Sequence, residues 1–279
     1  GAKAGLEYVD KHRPGEFFLG LTSIGYGGYR DDRVLLTESL RFRYKKTTTT
    51  FAHTRTDVKN LRTGAPDFNE DLYGGKVYYQ ANQYVGLQLH GMTFRNDDSD
   101  TDGSSVFGGK FSFFPDPAWV VGAEVNSSNY NTHNGTQLRS FLGYQFNPSF
   151  RADAEGIFTS SGGSRMRASQ SSLANGGLLK GTYTPNDQFV LSFGGLFGKR
   201  RQGVDGDSLY AYNTLDLYNS GGFAKVLYNP NDHWKLYLSF SVDHYDSEKL
   251  AAENEKAGAV LSEPAQTSRT ITGGAMFPF

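Results

Sequence analysis

Apolar and polar residues alternate along most of this chain, and the alternation has the period of a β-strand. In the segment 118–130, apolar residues occupy the odd positions from 119 to 125, and polar residues such as Glu124 and Asn126 occupy even ones. The segment 233–244 repeats the pattern with the parity reversed. Alternation that recurs this often predicts a large antiparallel sheet.

The alternating segments define the predicted strands. In chain order they cover residues 2–11, 16–29, 33–45, 72–81, 83–95, 105–114, 118–130, 136–146, 149–159, 176–184, 188–199, 221–228, 233–244 and 268–279. The segment 46–71 is polar, with a threonine run and a Gly-Ala-Pro break, and is interpreted as a long loop. Glu38 falls on the apolar face of its strand, which suggests a bulge or a register error there.

The connections between strands form two alternating sets. The short ones are residues 82–83, 115–117, 147–149, 185–187 and 230–232, and the long polar ones are 96–104, 131–135, 160–175, 200–220 and 246–267. Short turns at one end and long loops at the other are typical of an all-β, transmembrane, antiparallel up-and-down barrel with periplasmic turns and extracellular loops. With both chain ends at the short-turn rim, we predict fourteen strands, with 30–32 as a short turn; twelve and sixteen are the alternatives.

Composition narrows the class of protein further. No run approaches the 18 apolar residues of a spanning helix, and the mean hydropathy is negative, as alternating strands require. Twenty-eight basic and 29 acidic residues leave no basic excess for nucleic acid. The absence of cysteine excludes thiol catalysis and disulfides. No linker divides the chain, so residues 1–279 are expected to form one domain, without a signal peptide and therefore in a mature or trimmed form.

The last segment carries a family resemblance. Phe279, Phe277, Ala275, Gly273 and Ile271 share one face, and a final strand that ends in phenylalanine resembles the closing strand of bacterial outer-membrane β-barrels. Pro278 departs from that pattern. The resemblance implies location in the outer membrane of Gram-negative bacteria, with Phe277 and Phe279 as an assembly signal. It also implies contact with outer-membrane lipid, lipopolysaccharide and the barrel-assembly machinery.

The polar faces of the strands predict a charged lumen. The candidate lumen-lining residues are Arg41, Arg43, Lys45, Lys110, Glu124, Arg139, Arg151, Asp153, Glu155, Lys180, Lys225, Lys235 and Asp243. Basic residues predominate, which favours anions in a narrow path, although the charges could also pair across the lumen. The sequence therefore predicts a porin-like channel for small hydrophilic or anionic solutes.

Other functions have weaker support. An export conduit for polysaccharide or protein, or a barrel that holds a periplasmic or secretion partner, is the alternative. Inward aromatic residues, Tyr84, Phe94, Phe114 and Phe141, suggest a ligand-specific track, and the loops 200–220 and 246–267 are candidates for a gate.

Metal and catalytic motifs are sparse. Asp98, Asp100 and Asp102, followed by Gly103, match the start of a calcium loop, but Gly109 replaces the bidentate glutamate. Calcium bound in this loop is the one cofactor that the sequence suggests. The histidines are scattered without a catalytic serine and aspartate at a connected spacing, so the chain is not expected to be an enzyme.

Overall fold

The computed structural model describes residues 15–27, 32–59, 68–96, 102–131, 134–162, 172–231, 233–246, 248–250, 261–263 and 266–278. Within these ranges the regular structure is all strand. The strands are β1 (Gly15–Gly27), β2 (Asp32–Tyr44), β3 (Thr47–Lys59), β4 (Phe68–Gln80), β5 (Val85–Asn96), β6 (Ser105–Phe113), β7 (Trp119–Asn129), β8 (Asn134–Asn147), β9 (Phe150–Gly162), β10 (Ser172–Asn186), β11 (Phe189–Asp205), β12 (Tyr210–Tyr228), β13 (Lys235–Tyr245), β14 (Glu248–Leu250), β15 (Leu261–Glu263) and β16 (Gln266–Pro278). Among the described residues, no helix has the length and hydropathy needed to cross a membrane.

The strands form a closed antiparallel barrel in which chain neighbours are also spatial neighbours. β1 closes the ring against β16, with Phe17 opposite Phe277 and Thr22 opposite Thr272. The hydroxyls of Thr22 and Thr272 lie 2.9 Å apart across this seam. Among the described strands, β14 and β15 alone lie outside the barrel, where they form a two-stranded antiparallel sheet. The predicted barrel and its strand number of fourteen are confirmed.

The set of fourteen strands differs from the predicted one. The segment 47–59 is a full strand, β3, and not a loop. Its threonines are β-branched and suit a strand, and those at even positions are buried inside the barrel. The loop interpretation was wrong because the outward residues of this strand are also largely polar, which hides the alternation. The segment 2–11 lies outside the described residues, and the ring closes on β1 without it.

Because β3 is a full strand, the connection between β1 and β2 belongs to the opposite rim from the one predicted. Lys45 and Lys46 form the short turn between β2 and β3, so the end of β1 and the start of β2 lie at the long-loop rim. Residues 30 and 31 of the predicted turn 30–32 lie outside the described residues, and its assignment to the short-turn rim was wrong. The other short turns occur where they were predicted, and the ends of β1 and β16 meet at the short-turn rim.

The outer face is the apolar face. Large exposed hydrophobic side chains cover it, including Leu19, Leu36, Phe51, Leu89, Phe107, Leu138, Phe158, Leu179, Phe193, Leu238 and Ile271. Aromatic pairs cluster toward the short-turn rim. The ring centroids of Trp119 and Tyr144 lie 4.4 Å apart, and those of Phe189 and Tyr228 lie 4.8 Å apart. This arrangement matches an apolar band with an aromatic girdle.

β11 and β12 are the longest strands, at 17 and 19 residues, and they continue past the wall as one hairpin. The segment 200–220 was therefore wrongly predicted as a loop. The register shifts after Phe197, next to Gly198, whose φ is +99°. A Cβ at Gly198 would lie 2.3 Å from the carbonyl oxygen of Asn175, so only glycine fits this bend. β-bulges of this kind redirect a strand.

Candidate functional site

The end of the β11–β12 hairpin lies inside the barrel. We call residues 204–211 the hairpin tip. Asp205 Oδ1 accepts hydrogen bonds from the backbone N–H groups of Asp207 (3.0 Å) and Ser208 (3.4 Å), which is an Asx-type turn. Leu209 completes the turn with a φ of +53°. The sequence Asp-Gly-Asp-Ser therefore makes a compact end that can enter the lumen.

Apolar side chains hold one side of the hairpin tip. Val204, Leu209 and Ala211 pack into a buried cluster on the inner wall. The wall residues of this cluster are Leu72, Met92, Phe94, Val106 and Tyr130. Gly74 makes room for the tip, since a Cβ there would lie 3.0 Å from the Cβ of Leu209. Burial of Val204 and Leu209 favours the inward position by about 1.5–3 kcal/mol each.

Gln137 fixes the backbone of the tip. Its side-chain amide donates to the carbonyl oxygen of Val204 (2.7 Å), and its Oε1 accepts from the Val204 N–H (3.1 Å). The amide thereby satisfies both backbone groups of one residue, as a neighbouring strand would. Unpaired buried backbone groups are costly, so this contact makes the inward position possible.

A charge network holds the other side of the tip. Lys110 Nζ lies 2.6 Å from Asp207 Oδ2, and Lys76 Nζ donates to the Asp207 carbonyl oxygen at 2.5 Å. The guanidinium of Arg139 lies 3.5 Å from Asp205. Arg139 also contacts the wall carboxylates of Glu124 (3.2 Å) and Glu155 (2.7 Å). The tip thus supplies carboxylates to cations of the wall.

The surroundings of Asp207 set its ionisation. Burial by itself would raise the pKa of this carboxyl, but Lys110, Lys76 and Arg139 outweigh it and hold the pKa well below its ordinary value. Asp207 therefore stays charged at neutral pH.

A buried polar chain runs beneath the tip. His90 Nε2 lies 2.6 Å from Asn126 Oδ1, and Asn126 donates to Glu124 Oε1 at 2.8 Å. The same glutamate oxygen accepts from the Gly206 N–H at 3.3 Å. A Cβ at Gly206 would lie 2.3 Å from the His90 ring, so glycine is required for this close approach.

The rest of the lumen is a cavity of about 650 Å³. The hairpin forms one boundary of this cavity through Asp205, Asp207 and Tyr210. Much of the opposite boundary comes from the inner faces of β9 to β13 and of β16. The lining mixes charged groups with apolar ones such as Phe18 and Phe141. The hairpin tip therefore occupies the lumen next to β4–β8, and most of the cavity lies on the other side, although it also touches inner residues near the tip such as Lys76 and Gln88.

Most predicted lumen residues border this cavity. They are Arg41, Lys110, Arg139, Arg151, Asp153, Glu155, Lys180, Lys225, Lys235 and Asp243. Glu124 points inward but is only 1% exposed, beneath the hairpin tip. Arg43 is exposed close to the short-turn rim. Lys45 lies in the turn after β2, 5.1 Å over the Tyr44 ring, because the strand ends one residue earlier than predicted.

Many of these charges pair with one another. Arg41 lies 3.4 Å from Glu16, and Asp153 contacts both Arg151 (2.7 Å) and Lys180 (3.1 Å). Pairing across the lumen was the alternative to an anion-selective lining. These pairs instead join residues of the same strand or of neighbouring strands, and they offset part of the positive charge.

Two residues that anchor the hairpin tip, Lys110 and Arg139, were predicted as lumen residues, but sequence patterns did not reveal the others. Lys76 lies on the inward face of a predicted strand, so its alternation could have revealed it. Asp205 and Asp207 lay in a segment interpreted as a surface loop, and Gln137 and His90 carried no motif. Their shared role depends on contacts between distant strands.

Other predicted features have separate outcomes. Phe114 and Phe141 border the cavity, Phe94 lies in the apolar cluster, and Tyr84 is exposed.

Asp98 and Asp100 lie outside the described residues, and Asp102 accepts from the Asn96 N–H at 3.3 Å. Among the residues with described placement, no group of three or more potential ligands is arranged for a metal. Loop calcium stays a prediction. Phe277 faces outward and Phe279 is outside the described residues, so the assembly signal also stays a prediction.

Comparisons with known proteins identify the fold. No family model matches the chain, and no curated protein matches it. The monoaromatic hydrocarbon channel CymD matches with a TM-score of 0.61 and 9% identity, over 96% of this chain and 89% of that one. The toluene transporter TbuX of Ralstonia pickettii matches with a TM-score of 0.58 and 9% identity, over 96% and 90%. A FadL homologue of Pseudomonas aeruginosa gives the same four values. The fold is that of the outer-membrane β-barrels.

Proposed function

We propose that this protein is an outer-membrane channel in which small solutes pass through the cavity beside the hairpin tip. The observation that carries the proposal is the asymmetric lumen, filled under the tip and empty along the opposite wall. The cavity touches Lys235 and Met276 toward the short-turn rim and Asp243 and Tyr245 toward the long-loop rim. Its lining therefore extends along most of the barrel height.

The lining supports small polar or anionic solutes. More basic than acidic side chains border the cavity, but the pairing described above reduces their effect on a passing ion. We expect a modest preference for anions, with the hairpin tip setting the narrowest point.

Apolar solutes are the second candidate. Phe18, Phe141 and Phe223 border the cavity, and the structural neighbours include a monoaromatic hydrocarbon channel, CymD, and a toluene transporter, TbuX. Uptake of toluene by proteoliposomes, compared with uptake of a small sugar acid, separates the two candidates.

Conductance in planar bilayers tests the channel. The refolded protein is compared with a variant in which residues 200–217 are replaced by a short Gly-Ser turn. We expect stable wild-type openings with a reversal potential that favours anions, and a several-fold larger conductance for the variant.

Two other results would change the proposal. A reversal potential that favours cations would exclude anions as the preferred solutes of the channel. A wild-type barrel that is silent, and that conducts only after the replacement, would favour the export or partner-dependent conduit. Silence of both proteins would overturn the channel.

A further inference from the structure

Lys225 is a cation buried in the wall of the barrel. The residue lies on the inner face of β12, borders the cavity and is only 7% exposed. Its Nζ has no hydrogen-bonding partner among the described residues. Lys110, Arg139, Arg151 and Lys180, by contrast, each lie within 4 Å of a carboxylate. Asp205 of the hairpin tip acts on this ammonium group only at a distance. Burying an ammonium group without a hydrogen-bonding partner is expensive, so a ligand carboxylate could provide the direct contact that the described residues do not.

The neighbours of Lys225 are suited to bind an oxyanion. Strand pairing places Ser192 of β11 on one side and Ser239 of β13 on the other, and both side chains are buried inside the barrel. Both border the same cavity. The ammonium group and the two hydroxyls together can donate three or more hydrogen bonds to a carboxylate.

Apolar residues lie on both sides of this polar row. Phe223 precedes Lys225 on the inner face, and the Lys225 Nζ lies 5.2 Å from the centre of its ring. The Phe223 ring packs against Gly194, where a Cβ would lie 2.8 Å from it. Leu227 follows, paired with Val190 and Tyr237, and all three border the cavity. A ligand at Lys225 would therefore place its apolar part against these side chains.

We propose that Lys225, Ser192 and Ser239 form a binding site for small organic carboxylates with an aromatic or aliphatic body. The carboxylate takes the ammonium and the two hydroxyls, and the body contacts Phe223 or Leu227. This inference rests on the proposed channel, since it identifies the class of solute that the cavity would select. An inorganic anion satisfies the charge but not the apolar contacts, so it binds more weakly.

Calorimetry on the refolded barrel in zwitterionic detergent tests the site without requiring transport. The probes are benzoate, the neutral benzyl alcohol and chloride. We expect benzoate to bind and K225M to weaken it by at least about tenfold, as loss of a charged hydrogen bond predicts. K225R retains the charge and should recover part of the affinity. The control K45M removes a lysine in the turn after β2, which does not border the cavity, and should bind benzoate like the wild type.

The outcomes separate the site from the channel. Equal benzoate affinity in the wild type and K225M, or equal affinity for benzoate and benzyl alcohol, would overturn the site. Absence of benzoate binding to the wild type would do the same. Bilayer silence together with Lys225-dependent binding would instead overturn the channel and keep the site.

Discussion

His53 is an ionisable residue on the outer face of the barrel, at the central position of β3. Its Nδ1 lies 3.0 Å from Glu38 and its Nε2 lies 2.8 Å from Asp71, and its ring stacks on Tyr73 at 4.7 Å. Two ionised carboxylates can accept from both ring nitrogens only if both nitrogens carry protons. The arrangement explains how Glu38 is tolerated on an apolar face without the predicted bulge or register shift.

Removing His53 should destabilise the barrel because it leaves two carboxylates unpaired among lipid-facing side chains. We expect H53F to lower the free energy of unfolding in phospholipid vesicles by about 2–4 kcal/mol. The triple variant E38L/H53F/D71L removes all three polar groups and should recover most of that loss. Urea unfolding followed by tryptophan fluorescence measures both.

The matched control for His53 is His244, which also faces outward and contacts only Thr267 among the partners described for it. H244F should change the unfolding free energy by no more than about 0.5 kcal/mol. If H53F were as stable as H244F, the three-residue arrangement would have no energetic role.

The element that organises the lumen is the β11–β12 hairpin, and the sequence did not reveal it. Alternation identified the wall strands because one face of each is apolar, and it placed their polar faces correctly inside. The hairpin tip has no such face of its own. Its partners come from five different strands, β4 to β8, and only the closed barrel brings Lys76, Gln137 and Arg139 together. The loop interpretation of β3 failed for a related reason, since His53 and Arg55 obscure its outward face.

We expect the hairpin to be a fixed constriction and not a moving gate. Opening it would expose Leu209 and break the contacts of Asp207, at a cost of several kcal/mol. The chain lacks cysteine, so the double variant G74C/L209C can form a single disulfide between tip and wall. A Cβ at position 74 would lie 3.0 Å from the Cβ of Leu209. This distance is slightly below the usual Cβ–Cβ range of a disulfide, and a small shift of the backbone would bring it into that range.

The disulfide variant should conduct like the wild type before and after reduction, because it locks a position that the hairpin already occupies. Single-channel recordings with and without reductant measure this, and L209C alone controls for the loss of the leucine. Opening and closing steps that appear only after reduction would show that the hairpin moves.

At the scale of the whole molecule, the hairpin tip fills one side of the lumen and leaves a cavity on the other. Ion pairs between the tip and the wall keep the tip on its side. Asp207 faces Lys110, Lys76, Arg139 and Asp205, and Glu124 and His90 lie beneath the tip. These groups come from opposite parts of the ring, so the ion pairs of the tip couple the hairpin to the far wall. The lumen therefore keeps its shape over the pH range in which these ion pairs remain intact.

The lowered pKa of Asp207 fixes the direction of that pH dependence. A depressed pKa adds stability to the inward position above the ordinary value of about 3.9, and this stability is lost as pH falls through the lower folded value. The conductance, corrected for the electrolyte, should therefore stay constant from about pH 8 to about pH 5 and rise only under strong acid. D207N, which keeps the carbonyl bonded to Lys76 but loses the charge facing Lys110, should show increased current fluctuations throughout that range. A conductance step in the wild type within the range would mean that a different group controls the tip, and His90, which packs on Gly206, would be the residue to replace next.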